Sequence, residues 1–382
     1  MTDSPSPASA LVLSGGGART AYQAGVLRFV TEAFPDATPE TVTGVGMGGV
    51  NAALWCGGGP SPEAATEQLV RFWDEMTPSD VFEARSIWDL VTQIMHRTPS
   101  ENQSLLDLTP LRRTLTRILS PADDGTLPRL AAQLDTRRLR ALALTTSRYA
   151  TGETVTWVQT ENAHPGIDDW EHGRRRAEAI DVTLDHVLAS ASLALLFPAV
   201  QIGGAWHGAG VGMLHPLAPA VRLGADRLLV VSTRPEASRD NAPATDATTT
   251  DAPAPDPYPS PLQIASLLSN TLLLDAPEQD AVTAERIDDL VRHLPPDDRP
   301  LSPADVCVLR PSTDLTALAE GLDLDIRDRL GATLRYLHAE DSGLPDLLSI
   351  LLYAPEFVRR CLLLGYTDAE TQADRIERVL TG

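Results

Sequence analysis

Lysine is absent from this chain: all 31 basic residues among its 382 are arginine, against 52 acidic ones, for a formal net charge of −21. A surface of that sign repels nucleic acid, so proteins that bind DNA or RNA through its phosphates are excluded. Two readings account for the missing lysine. One is a GC-rich coding bias, and the other is a salt-rich cytoplasm in which an acidic surface keeps proteins soluble. Cysteine is scarce as well. Cys56, Cys307 and Cys361 are an odd number at wide spacings, with no C-x-x-C and no nearby histidine to complete a zinc site. No metal or other cofactor is expected, and a reducing, cytoplasmic interior is the simpler setting. The opening MTDSPSPASA lacks the basic start and long apolar run of a secretory signal. The most apolar later stretches, near residues 267–274 and 347–352, are too short and too closely flanked by charge to span a bilayer. Any membrane contact is therefore expected to be peripheral.

The chain is long enough for one large α/β domain or two ordinary ones. Residues 10–14 form a short apolar run that ends in Gly15-Gly16-Gly17, and apolar residues then recur at helical spacing through Val30. A second unit of the same kind runs from Thr41 through GVGMGG into a helix at residues 50–55. Two successive strand–turn–helix units predict a mostly parallel sheet with helices on its faces. Residues 61–134 read as helix-rich, 140–145 and 153–158 as strands joined by a turn at 150–152, and 182–191 as a helix. A strand is expected at 197–202, a helix at 216–224 and an apolar strand at 227–232.

Residues 236–261, rich in Ala, Asp, Thr and Pro, cannot bury enough apolar surface to offset their ordering entropy and read as a disordered insertion. A helix is expected from 262 to 293, a strand at 304–312 that rejoins the sheet, and two more helices after it. The expected organisation is a flexible N-terminus (1–9), a core (10–235), the insertion (236–261), and a mainly helical C-terminal part (262–382) packed on the core.

SGGGART at residues 14–20 is a glycine-rich turn opening a helix, which aims backbone N–H groups at negative charge. A dinucleotide fingerprint is the weaker reading, since Thr20 occupies the place of the third glycine. Four stretches in order, LVLSGGGARTAYQAGVL, VTGVGMGGVNAAL, LASASLALLFPAV and GVGMLHPLAPAVRLGADRLLVVS, together resemble bacterial patatin-like phospholipases. LTTSRYATGETVTWV and DLLSILLYAPEFVRRCLLLGY are similar to further segments of that family. The resemblance implies a three-layer α/β/α fold with a mostly parallel central sheet and a helical C-terminal extension. It also implies a serine–aspartate dyad without histidine or metal. The serine of G-x-S-x-G attacks an ester carbonyl, an aspartate in a D-G-G or D-G-A turn takes its proton, and the glycine turn supplies the oxyanion hole.

Carried over residue by residue, the elbow falls on Gly44, Val45, Gly46, Met47 and Gly48, with Gly46 at the nucleophile position. The D-G-G turn falls on Gly208, Ala209 and Gly210, with Gly208 at the aspartate position. A hydrogen side chain neither attacks a carbonyl nor accepts a proton. No shift of register mends this: residues 44–50 contain no Ser, Thr or Cys, and residues 186–225 contain no Asp or Glu. The oxyanion turn, Gly15, Gly16, Gly17, Ala18 and Arg19, persists. Its glycines serve backbone geometry on one reading and an anion or acyl carbonyl on the other.

Three accounts follow. The chain is a pseudoenzyme that binds a lipid, acyl or protein partner. Alternatively it is an active acyl hydrolase of lipid metabolism with a displaced nucleophile, for which Ser14, Thr43, Cys56, Ser190 and Ser192 are candidates and His207 or His215 the base. Otherwise it is such an enzyme deliberately silenced at both positions. Each candidate residue also has a plainer role in a turn, core or helix cap.

Overall fold

The structure, a computed structural model, describes residues 8–84, 104, 106–161, 170–171, 173–194, 196–210, 217–235, 305–319, 322 and 349–381. The expected insertion at 236–261 and helix at 262–293 lie outside the described residues. The strands are β1 (Ala8–Leu13), β2 (Thr41–Val45), β3 (Glu83–Ala84), β4 (Leu106–Asp107), β5 (Ala141–Arg148), β6 (Glu153–Thr160), β7 (Arg175–Ala179), β8 (Val200–Ile202), β9 (Ala205–Ala209), β10 (Ala225–Val231) and β11 (Asp305–Leu309). The helices are α1 (Ala21–Ala33), α2 (Met47–Gly57), α3 (Pro62–Asp74), α4 (Pro78–Val81), α5 (Thr109–Leu119), α6 (Pro128–Asp135), α7 (Leu184–Ala191), α8 (Ala218–Arg222), α9 (Pro355–Thr371) and α10 (Ala373–Thr381).

The central sheet runs β11-β10-β1-β2-β5-β6-β7. Its first five strands are mutually parallel; β6 then runs antiparallel to β5, and β7 parallel to β6. The chain therefore has the α/β architecture that its two glycine-turn units predict, with a mostly parallel sheet and a helical C-terminal region.

Successive strand side chains point to opposite faces, and the apolar residues sort accordingly. Leu11 and Leu13 of β1, Leu229 and Val231 of β10, and Cys307 and Leu309 of β11 enter the large core beneath α1, α2 and α9. Ala10, Val12, Leu228, Val230 and Val308 enter a smaller core that includes Ala220 of α8. Continuous apolar strands are what a sheet covered on both faces requires.

Helix α3 starts where Ser61 accepts a hydrogen bond from the Ala64 N–H at 3.3 Å and Pro62 takes the first helical position. Helix α9 lies across α1 in backbone contact. A Cβ on Gly25 would collide with the Leu362 carbonyl, and one on Gly365 with the Tyr22 carbonyl. Helix α10 lies against β10 and β11.

Two strand expectations need correction. The strand expected at 197–202 shrinks to Val200–Ile202, because Leu193, Phe197 and Pro198 belong to a turn in which the Phe197 N–H bonds the Leu193 carbonyl at 2.9 Å. Strand β7, with the sequence RRAEA, has no apolar alternation to mark it and is not foreseen.

Candidate functional site

The elbow forms where β2 ends against α2. Gly46 has φ 62° and ψ −140°, in the region open to glycine and strained for other residues, and its carbonyl accepts from the Gly49 N–H at 3.0 Å. The turn is tight because small residues let the backbones touch: a Cβ on Gly44 would lie 2.7 Å from the Gly49 Cα, and one on Gly48 would collide with the Ser14 carbonyl. Met47 and Gly48 open α2, where N–H groups have no acceptor within the helix.

The glycine turn stands beside the elbow. A Cβ on Gly46 would lie 3.1 Å from the Gly15 Cα, so the structure brings the sequence-assigned oxyanion turn and nucleophile position together. Thr233 Oγ1 donates to the Gly15 carbonyl at 2.7 Å, and Gln23 Nε2 to the Ser14 carbonyl at 2.8 Å. Behind the turn lies a buried neutral network. Asn51 Nδ2 donates to the Thr20 carbonyl and to Gln23 Oε1, each at 2.9 Å, while Trp73 Nε1 donates to Asn51 Oδ1 at 2.8 Å. This set joins α1, α2 and α3, and a buried network with every member satisfied fixes one geometry. Sequence reading missed it, since Gln23, Asn51 and Trp73 share no spacing pattern.

Two members of the assigned turn are used differently from the rest. Ala18 is fully buried. Arg19 is 3 % exposed and ties the turn to the C-terminal part, with Nε donating to Ser349 Oγ at 2.7 Å and Nη2 to Thr316 Oγ1 at 2.9 Å.

Gly208 reaches the same end of the sheet by a different route. Strand β5 pairs with β6 along one side, and on the other with β2 up to Val45↔Thr145 and with β9 from Thr146↔Ala209 to Arg148↔His207. Strand β9 thus enters the lane that β2 has left. The register Ser147↔Gly208 sets Val45 and Gly208 two residue steps apart along the strand direction, ~7 Å. Between them, a Cβ on Gly210 would lie 3.0 Å from both Val45 Cγ2 and Thr145 Cγ2. A side chain at 208 would meet Tyr149: a Cβ there would lie 2.8 Å from Tyr149 Cζ and would collide with the Tyr149 hydroxyl, the outer end of a half-exposed side chain that can turn aside.

All five substitute nucleophiles are buried. Ser14 Oγ donates to the Val231 carbonyl at 3.1 Å, and Ser192 Oγ to the Pro198 carbonyl at 2.5 Å. Thr43 is buried in the sheet, and burial pushes the Cys56 thiol pKa up. Ser190 Oγ is nearest the elbow, donating to the Gly46 carbonyl at 3.4 Å, but is 0 % exposed.

His207 is held by a relay. Trp157 Nε1 donates to Thr146 Oγ1 at 2.8 Å, and the Thr146 hydroxyl and His207 Nδ1 share a hydrogen bond of 3.1 Å whose donor follows from the imidazole tautomer. The other face of this cluster is His186, whose ring lies 4.7 Å from that of Trp157. Burial first, then the charges of Arg148 and Arg176, hold the His207 pKa below the ordinary imidazole range. Burial lowers that of His186 to about 4, against an opposing effect of Asp185. His215 lies outside the described residues. Among the described residues no group of three His, Cys, Asp or Glu is placed to hold a metal ion, and no helix is long and apolar enough to cross a membrane.

A parallel sheet with a glycine turn after its first strand and a glycine elbow after the next is the frame of an acyl-hydrolase site. The family model for patatin-like phospholipase matches residues 11–220, and the chain belongs to that family. No curated protein matches the chain. Among solved structures, human GIVD cytosolic phospholipase A2 in complex with methyl gamma-linolenyl fluorophosphonate is similar at 14 % identity and a TM-score of 0.46, over 98 % of this chain and 59 % of that one. VipD from Legionella pneumophila is similar at 12 % identity and a TM-score of 0.37, over 97 % of this chain and 67 % of that one. The type III effector ExoU is similar at 15 % identity and a TM-score of 0.25, over 98 % and 80 %. The chain spans 59 % of the length of the human phospholipase chain.

Proposed function

We propose that this patatin-like phospholipase-domain protein is a pseudoenzyme, which keeps the family's acyl-binding frame and has lost dyad hydrolysis. The observation that carries the reading is the state of Gly208. No carboxylate occurs between residues 186 and 225 to stand in for an acid there, and the half-exposed Tyr149 phenol leans into the space beside it. Gly46 supplies no nucleophile, and the glycine turn beside it still presents backbone N–H groups at a helix start, which suits an acyl carbonyl or carboxylate without chemistry. Its role is then to bind a lipid or acyl ligand, or to regulate a protein partner through it.

A fluorophosphonate probe with mass-spectrometric mapping tests this, together with phospholipid and short-ester hydrolysis. The expected result is no stoichiometric adduct and no turnover. An adduct on Ser190, the hydroxyl bonded to the Gly46 carbonyl, would overturn the reading in favour of a displaced nucleophile. Mass spectrometry of lipid copurifying with the native protein identifies the ligand class.

A further inference from the structure

The net charge of −21 conceals a local excess of positive charge on the sheet. Strands β9, β5, β6 and β7 set their side chains in rows. Arg148 stands opposite His207 on one side and Glu153 on the other. One row inward, Thr146 stands opposite Ala209 and Val155, and Val155 opposite Arg176. Partners across a ladder project to the same face, as do residues two apart on one strand. Arg148, Arg176, His207, Glu153 and Glu178 therefore share a face at the elbow end of the sheet, with exposed Arg174 at its margin.

The two carboxylates do not use up the two guanidinium groups. Arg148 Nη1 lies 3.7 Å from Glu153 Oε2, whose oxygen also accepts from Thr151 Oγ1 at 2.8 Å, and Arg176 Nη2 pairs with Glu178 Oε1. Arg148 Nε and Arg176 Nε are both shut off from solvent and meet no acceptor among the described residues. Buried donors without an acceptor carry a desolvation cost, so neither guanidinium is fully satisfied by its carboxylate. Arg148 is paired directly opposite His207, and both cations lower the His207 pKa, after the larger effect of burial.

A planar carboxylate is satisfied by one guanidinium fork. Two forks arriving from strands two lanes apart, roughly 10 Å between backbones, suit an anion with acceptors in several directions and more than one negative charge.

We propose that Arg148 and Arg176, with His207 beside them, form a binding site for a phosphate group. If the acyl-binding reading above holds, on which this part rests, the group is the headgroup phosphate of a small lipid whose chains lie toward the glycine turn.

The test titrates three soluble ligands into the full chain by calorimetry: dihexanoyl phosphatidate, uncharged dihexanoylglycerol and inorganic phosphate. Wild type is expected to bind the phosphatidate at least tenfold more tightly than dihexanoylglycerol. Arg148→Gln/Arg176→Gln loses at least tenfold for the phosphatidate and keeps its affinity for dihexanoylglycerol. Arg113→Gln/Arg117→Gln on exposed positions of α5 removes the same formal charge and binds as wild type. Arg148→Lys/Arg176→Lys, which keeps charge but lacks Nε, falls between and serves if the glutamine pair does not fold.

Inorganic phosphate bound as tightly as the phosphatidate identifies a free-phosphate ligand; weaker binding identifies the lipid headgroup. The phosphate site is overturned if wild type makes no distinction between phosphatidate and dihexanoylglycerol, or if the folded glutamine variant binds phosphatidate unchanged. Dihexanoylglycerol bound alike by every variant, with no phosphatidate preference, leaves acyl binding standing and removes the phosphate site. Phosphate binding lost in the glutamine variant, with no acyl ligand bound by any variant, does the reverse.

Discussion

The two positions at which the family resemblance sets a serine and an aspartate, Gly46 and Gly208, have unlike surroundings. At the elbow the backbone holds φ 62° and ψ −140° beside the glycine turn, and among the described residues a Cβ on Gly46 would have only the Gly15 Cα, at 3.1 Å, within 4 Å. At Gly208 the half-exposed Tyr149 ring leans into the space that a side chain would enter. Their supports differ as well. The elbow rests on the neutral amides of Gln23 and Asn51, whereas β9 rests on a His–Trp–His cluster and a row of arginines. The elbow keeps its shape because its glycines serve the crossing of β1, β2 and α2. The space at 208 served an acid alone on the proposed reading, and without one it could admit the Tyr149 phenol.

The comparison breaks most readily at Gly208. Gly208→Asp must turn the half-exposed Tyr149 ring outward and set a carboxylate on a buried strand position, and is expected to cost about 3 kcal/mol in chemical denaturation, nearly all of it from the carboxylate. In a Tyr149→Ala background the same substitution should cost slightly less, a coupling that a double-mutant cycle measures. Equal costs in the two backgrounds would show that Tyr149 does not enter the space.

A smaller effect separates the two regions by pH. His186 is buried neutral with its pKa lowered to about 4, and that of His207 is lowered too. The unfolded chain, with imidazoles near 6.5, binds these protons first as pH falls. Their stability contribution is therefore complete above about pH 6.5 and is lost between there and about 4, on the order of 2–3 kcal/mol for His186. His186→Gln should flatten that slope in urea melts taken from pH 7 to 4. Gln23→Leu, in the elbow's neutral network, should lower stability without altering the slope.

The elbow's backbone was legible in the sequence, because a glycine run between an apolar strand and an apolar helix has few other uses. Both glycine turns, the parallel strand order they imply and the late strand β11 follow from local composition. What stands beside Gly208 was not legible. Tyr149 and Gly208 are far apart in sequence and meet through the β5–β9 pairing, which the five-residue strand β9, AWHGA, does not announce. Arg19 shows the same limit in the other direction. Its motif suggested an anion site, while its burial against Ser349 and Thr316, some 300 residues away, makes it a tie to the C-terminal part. Strand β7 escaped notice because RRAEA holds no large apolar residue, although Arg176 pairs with the buried Val155.

The smallest effect is expected at Gly46 itself. A serine there takes a backbone conformation that costs a residue with a Cβ about 1–2 kcal/mol, and its Cβ meets the Gly15 Cα at a distance that a few tenths of an ångström would relieve. Gly46→Ser should therefore fold and melt only slightly below wild type. It should also react with a fluorophosphonate far more slowly than a dyad enzyme. The hydroxyl would stand beside the glycine turn with no base, since no carboxylate lies on β9 and His207 Nδ1 is already engaged by Thr146. Rapid, stoichiometric labelling of this single variant would mean that the rest of the site had stayed competent. The contrast between the elbow and the acid position would then fail, because the acid position would have proved dispensable.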